Sequence, residues 1–189
     1  MVSPNVVFVD TETTGVDPDR HNVWEIALVG DFGSRLYVRS SDMVDLEYAD
    51  PTALRINGFY DRIVIPGAGD RIKLPNDRTM ALEIARLTAG KHLAGIVPGF
   101  DATFIAKFLL GSGIAPAWHY QTIDVEVMAA GVLGLEPPYD TEQVVRLLNH
   151  PALTALAGEG KHTAMGDARF AAGMYNAALL RSHPDRVPA

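Results

Sequence analysis

The chain contains no cysteine among its 189 residues. That excludes disulfides, thiolate nucleophiles and thiolate metal sites, and it fits a reducing compartment. No apolar run approaches the length that crosses a bilayer, so no membrane segment is expected. Cations are also few: 16 Lys and Arg face 23 Asp and Glu, for a formal net charge of −7. This balance argues against a protein that coats nucleic acid through a basic face. It weighs less against an enzyme that grips a chain end through metal ions, because bound cations reverse the local sign. Asp10 already ends an apolar run, which leaves no room for a signal peptide and makes a cytoplasmic location the default expectation. Internal repeats, low-complexity segments and linkers are missing too. What is present is ordinary for a globular protein, 48% hydrophobic and 21% charged residues. The expected organisation is a single domain over residues 1–182 with a short tail over 183–189.

Strand signals come first along the chain, at Val6–Asp10, Val23–Gly30 and Arg35–Arg39, joined by short turns that suggest an antiparallel meander. Asp50 with Pro51 opens a short helix ending at Ile56, and residues 57–76 read as a long loop. Met80, Ile84 and Leu87 fall at helical spacing before Gly90. A strand at Leu93–Val97, an apolar helix at Ala102–Leu110, a strand at Trp118–Asp124 and a helix at Val125–Leu133 follow. Two short helices are expected at Thr141–Asn149 and Ala152–Ala157, then a last helix from Thr163 to Leu180. Antiparallel strands followed by βαβ alternation imply an α/β fold, a mixed five-stranded sheet with helices on both faces. Catalytic groups on such sheets gather near strand ends.

Asp10 and Glu12 stand at such an end, in Val6-Val-Phe-Val-Asp-Thr-Glu-Thr-Thr-Gly15. Residues i and i+2 of an extended chain face the same side, so the two carboxylates meet at one point. Oxygen ligands clustered in this way suit a hard cation such as Mg²⁺ or Mn²⁺. Taken alone, the pattern reads better as a strand ending in a polar turn, with Asp10 and Thr13 or Thr14 as caps. Asp101, in Gly99-Phe-Asp101, reads alone as the N-cap of the helix that follows it. In His162-Thr-Ala-Met-Gly-Asp167, five helical residues turn through about 500°, so the two side chains cannot share a helix face. They converge only if His162 lies on the loop after Gly158-Glu-Gly160 and Asp167 in the first turns of a helix capped by Thr163. Read locally, they are a surface histidine and an aspartate that favours the helix dipole.

Taken in order, these three segments resemble the motifs of the DEDDh 3′→5′ exonucleases. Asp167-Ala-Arg is similar to that family's third motif, and Phe104 with Phe108-Leu to the apolar helix after its second. Ala53-Leu-Arg-Ile-Asn-Gly58 resembles the segment placed against the terminal nucleotide. The resemblance runs from Val6 to Leu180. It implies a ribonuclease H-like fold and hydrolysis of single-stranded or frayed 3′ ends of DNA or RNA with two divalent ions. Asp10, Glu12 and Asp167 would hold the ion that activates water, Asp10 would bridge to the second ion, Asp101 would support it, and His162 would be the general base. Thr13 and Thr14 would meet the terminal 3′-hydroxyl, while Ile56, with Asn57 and Phe59 beside it, would wedge between the last two bases. The residue types suit the task, because paired cations stabilise both the attacking and the leaving oxygen, and histidine titrates near neutrality.

One departure stands out. Family members place a polar pair such as His-Asn shortly before the Phe-Asp of the second motif; here the chain reads Ile96-Val97-Pro98-Gly99. A DNA polymerase or a second copy of the chain enters as a further partner under the competing reading, a non-catalytic proofreading scaffold. The intact set of five residues weighs against that reading, as does the short chain after Leu180. An unrelated metal-dependent phosphoesterase for small molecules would require the match at His162 to be accidental. Glu25 reads as a structural hydrogen-bonding group, Asp124 as a helix cap, and Trp24, Trp118, Phe104 and Phe108 as core.

Overall fold

In the computed structural model, residues 3–63, 71–72, 76–156 and 162–183 are described. The expected loop residues 64–70 and 73–75, the Gly158-Glu-Gly160 turn, Ala157 and most of the C-terminal tail lie outside them.

Strand β1 (Val6–Thr13) is the centre of the molecule. It pairs antiparallel with β2 (Val23–Gly30), which pairs antiparallel with β3 (Gly33–Val38). On its other side β1 pairs parallel with β5 (His92–Gly95), and β5 with β6 (Ile123–Asp124). The five expected strands therefore lie in the order β3-β2-β1-β5-β6, with the two-residue β4 (Arg71–Ile72) added in parallel at the β3 edge. The parallel crossing of β1 and β5 is tight: a Cβ on Gly95 would meet the Val9 carbonyl at 2.9 Å, so only glycine fits.

Burial follows the two-residue period of β1. Val6 and Phe8 pack into one cluster with α5 (Val125–Leu133), α6 (Thr141–Leu148) and α8 (Ala164–Ser182). Val7 and Val9 pack into another with α3 (Asp77–Thr88) and α4 (Pro98–Gly111). An apolar run buried on both faces is what a central strand between two helical layers requires. Among the described residues no helix is long and apolar enough to cross a membrane.

Several boundaries differ from expectation. The stretch after Asn57 is not wholly loop: α2 (Phe59–Arg62) follows α1 (Pro51–Ile56) almost at once. Only Ile123 and Asp124 of the expected Trp118–Asp124 strand join the ladder, where they pair with Ala94 and Gly95 of β5. The Gln121 carbonyl instead meets Nδ1 of His92 at 2.8 Å. Helix α7 covers Pro151–Leu156. Helix α4 begins four residues earlier than expected, at Pro98, so Asp101 lies inside its first turn rather than capping it. The cap is Val97, in the left-handed region at φ 54°.

Candidate active site

The parity that buries β1 also sorts its acids. Asp10 and Glu12 continue the Val6–Phe8 face, toward α8, and there Asp167 projects from the first turn of that helix. Oxygens of Asp10, Glu12 and Asp167 lie within 4.8 Å of one another. Thr11 continues the opposite face, toward α4, where its Oγ1 donates to Oδ1 of Asp101 at 2.7 Å. Asp101 thus reaches the cluster over the strand end from the other layer. The four acids found in order along the chain thus gather near the end of the central strand, drawn from β1, α4 and the start of α8, and the His162 backbone reaches them through Asp167.

The loop before α8 sets His162. Thr163 caps the helix, its Oγ1 accepting from Gly166 N at 3.1 Å. His162 takes a left-handed φ of 63°, donates its backbone N–H to Asp167 Oδ2 at 3.1 Å, and leaves its side chain exposed. The backbone of the histidine is therefore tied to a carboxylate of the cluster while the imidazole faces solvent.

Electrostatics show the strain of this gathering. Burial, followed by repulsion from Asp101, Asp167 and Glu12, raises the Asp10 carboxyl well above its ordinary range. Glu12 is pushed up to about 7, first by burial and then by Asp167, against the pull of Arg62 and a hydrogen bond from Asn57. Asp101 is raised to about 7, again mainly by burial, although Thr11 donates to it. Negative charge here exceeds what the protein offsets. An all-oxygen donor set with that surplus fits a hard divalent cation.

Arg62 is the counter-charge that sequence reasoning missed. Its Nη2 pairs with Oε2 of Glu25, and its Nη1 donates to the carbonyls of Asn57 at 2.6 Å and His162 at 3.0 Å. Its guanidinium lies 5.0 Å from the centre of the Trp24 ring. Glu25, opposite Glu12 in the β1–β2 ladder, also accepts from Ala164 N at 3.4 Å, the structural role expected of it. One arginine thereby ties β2, α1 and the His162 loop together. A cluster of acids signals that a cation is needed, but nothing in the spacing says which.

The expected substrate-contacting residues divide. Ile56 is 53% exposed and free to act as a wedge. Phe59 is 2% exposed, packed edge-on against Trp24 with Leu54 and Val44, so its ring is core rather than a wedge. Asn57 is buried too, its Nδ2 donating to the Thr13 carbonyl at 2.9 Å, and it lies close enough to Glu12 to favour the charged carboxylate. It therefore supports the acids. The hydroxyl of Thr13 donates to the Gly15 carbonyl at 2.6 Å, and that of Thr14 accepts from Asn22 N at 2.9 Å. Both shape the turn after the first motif. Gly15 is fixed by the same turn, since a Cβ there would lie 2.5 Å from the His21 ring.

A cavity of about 740 Å³ opens beside Asp10 and Asp167, walled by Ile96, Val145, Arg146 and Phe170. It is large enough for a nucleotide, and its lining mixes apolar Ile96, Val145 and Phe170 with polar Thr141, Glu142, Arg146 and Asn149.

Similar proteins include the oligoribonucleases of Salmonella typhimurium and Escherichia coli K12, each 27% identical over 87% of this chain and 88% of its own length. Among solved structures, Escherichia coli exonuclease I in complex with a dA16 oligonucleotide superposes with a TM-score of 0.62 at 16% identity. A second exonuclease I structure gives 0.63 at 19% identity. Both cover 95% of this chain but 41% of the exonuclease I chain, so this chain spans well under half of that enzyme. No protein-family model matches the chain.

Proposed function

We infer that this chain, one of the DEDDh 3′→5′ exonucleases of the ribonuclease H-like fold, hydrolyses the terminal phosphodiester of single strands from their free 3′ ends and releases nucleoside monophosphates. The observation that carries the reading is the convergence of Asp10, Glu12 and Asp167 within 4.8 Å, with Asp101 reaching in from α4 and His162 tied to Asp167 by its backbone. All five residues come from one chain, so neither a polymerase nor a second copy is needed to complete the set.

Asp10, Glu12 and Asp167 would hold Mg²⁺ or Mn²⁺, with Asp101 in support. When bound, such ions, two by the family resemblance, supply the positive charge that a phosphodiester and its transition state require. The protein's own groups do the rest. Asp101 is held by Thr11, and Asn57 braces the strand end at the Thr13 carbonyl, so the carboxylates would meet the ions preorganised. The exposed imidazole of His162 takes the proton of the attacking water through a ring nitrogen, a role general bases fill for about 10²–10⁴ in rate. Ile56 packs between the last two bases, which reads no sequence and favours ends that are already unpaired. Relatives named oligoribonuclease favour short RNA strands among the substrates.

The test is direct. RNA and DNA strands labelled at the 5′ end, incubated with Mg²⁺, should shorten stepwise and release mononucleotides, with blunt duplexes degraded more slowly than single strands. A 3′-phosphate should slow the reaction. Full activity in excess EDTA, or in an Asp10→Ala variant, would sink the reading.

A further inference from the structure

A second cavity, of about 650 Å³, carries chemistry that the hydrolytic site does not use. It lies on the α4 side of the sheet, the face opposite Asp167. Val23 in its wall is the cross-strand partner of Thr13. Phe104, also in the wall, follows Asp101 by three residues of α4, or about one turn. The cavity therefore begins next to the strand end that carries the acids. From Phe104 to Ser112 it follows α4 for about 12 Å away from them.

Three cations line it: Arg39, Arg78 and Lys107. Arg39 is neutralised by Asp77, whose two carboxylate oxygens it meets at 3.0 and 2.6 Å, and it covers the Phe108 ring at 5.4 Å. Among the described residues Arg78 and Lys107 meet carbonyls and no carboxylate. Arg78 Nη1 donates to the Ser112 carbonyl at 3.0 Å, and Lys107 Nζ to the His21 carbonyl at 2.9 Å. Among the described residues neither has a carboxylate within ion-pair distance. Carbonyl anchors aim the two head groups and leave their full charge, with most of their donors unused. In a chain of net charge −7, this is a local excess of positive charge beside an enzyme site for a polyanion. Phe104 and Phe108 are buried, so the floor offers an apolar rest for sugar and not an open face for bases.

We propose that this cavity holds the phosphodiester backbone of the substrate strand upstream of the scissile bond, with Arg78 and Lys107 each pairing with a phosphate. The proposal rests on the exonuclease reading for the identity of the strand. It explains how an acidic enzyme retains a polyanion without a broad basic face, and it makes affinity depend on strand length.

Anisotropy of a fluorescent single-stranded dodecamer in EDTA measures binding without hydrolysis. The double variant Arg78→Gln, Lys107→Gln should bind it less tightly and flatten the slope of log K against log salt by about 1.4, at about 0.7 per phosphate contact. In Mg²⁺, the same variant should raise the KM of the dodecamer about tenfold relative to that of a dinucleotide. Arg86→Gln removes an exposed cation that pairs with Glu83 outside the cavity, and should leave that ratio alone. The charge-preserving pair Arg78→Lys, Lys107→Arg should keep the salt slope, which separates lost charge from lost folding. An unaltered slope and KM ratio in the Gln double variant would overturn the inference even where hydrolysis is normal. The predicted slopes without hydrolysis of any strand would overturn the exonuclease reading and leave the site standing. Binding of a nucleoside 5′-monophosphate that the Gln double variant weakens as much as the dodecamer's would assign the cavity to free nucleotide, against the proposal.

Discussion

Removing one negative charge from the carboxylate cluster should stabilise the protein in EDTA. In the folded chain Glu12 and Asp101 are each pushed up to about 7, and Asp10 is raised well above its ordinary range. Unfolded, such groups ionise near pH 4. Below about pH 4 both states keep their protons and folding carries no penalty. Between about 4 and 7 the unfolded chain releases protons that the folded chain retains, so stability falls as pH rises. Above about 7 the share of Glu12 and Asp101 is complete. At about 1.36 kcal/mol per pKa unit, the Glu12 and Asp101 shifts amount to about 3 and about 4 kcal/mol, and shared repulsion makes their total less than the sum. Asp10→Asn removes a charge that faces Asp101, Asp167 and Glu12, while its attraction to Arg62 is the smallest of its interactions. Thermal unfolding in EDTA checks this. The wild type should melt lower as pH rises from about 5 to 8, and Asp10→Asn should melt several degrees higher than it at about pH 8, given roughly 2–4 °C per kcal/mol for a chain of this size. Added Mg²⁺ at about a hundred times its Kd should return about 2.7 kcal/mol to the wild type and much less to the variant. A melting temperature flat across that pH range, or a variant that melts below the wild type, would refute the reasoning.

Three further outcomes are expected. His162→Ala should lower single-turnover rates by about 10²-fold or more while Mn²⁺ affinity by calorimetry changes little, since the proposed function makes the imidazole a base and not a ligand; normal turnover with lost metal binding would reverse that assignment. Arg62→Ala should destabilise the fold by about 3–5 kcal/mol in denaturant unfolding, because it strands the buried carboxylate of Glu25, and adding Glu25→Gln should recover much of the loss. Val97→Asn should stabilise by up to about 1 kcal/mol, because asparagine tolerates the left-handed region better than a β-branched residue does; an unchanged or lower melting temperature would show that the position carries no strain.

What could be read in the sequence was what repeats or faces one way. The period of β1 is carried by four apolar residues before Asp10, so the shared face of Asp10 and Glu12 was legible, as was the need for His162 to leave the α8 helix. Capping chemistry was legible too: Asp50, Asp124 and Thr163 each accept from the backbone where expected. The helices after β5 were found by apolar spacing and fell within a few residues. Contacts between distant segments were not legible. Thr11 and Asp101 meet across 90 residues, and Arg62 reaches His162 across 100. Such pairs depend on which layer each element joins, which no local window contains. Phe59 misled for the same reason: an aromatic beside an exposed Ile56 looks like part of a wedge until Trp24 is seen to cover it.

The Ile96-Val97-Pro98-Gly99 departure gains a physical account at this level. Val97 adopts φ 54°, the conformation that starts a helix abruptly, and Pro98 supplies the first residue with a preset φ and no orphan N–H. The helix therefore begins three residues before Asp101, and a carboxylate that would otherwise sit on a flexible cap is carried by a formed turn. Thr11 then holds it from β1 at 2.7 Å. The polar pair that the DEDDh exonucleases place here would add donors to the site. In this chain the same stretch serves to fix the backbone, at the expense of strain in a β-branched residue 62% exposed beside the acids. On the exonuclease reading, the departure would alter which donors meet the nucleotide, while the carboxylates keep their placement. Its effect belongs in KM and substrate choice rather than in the class of reaction.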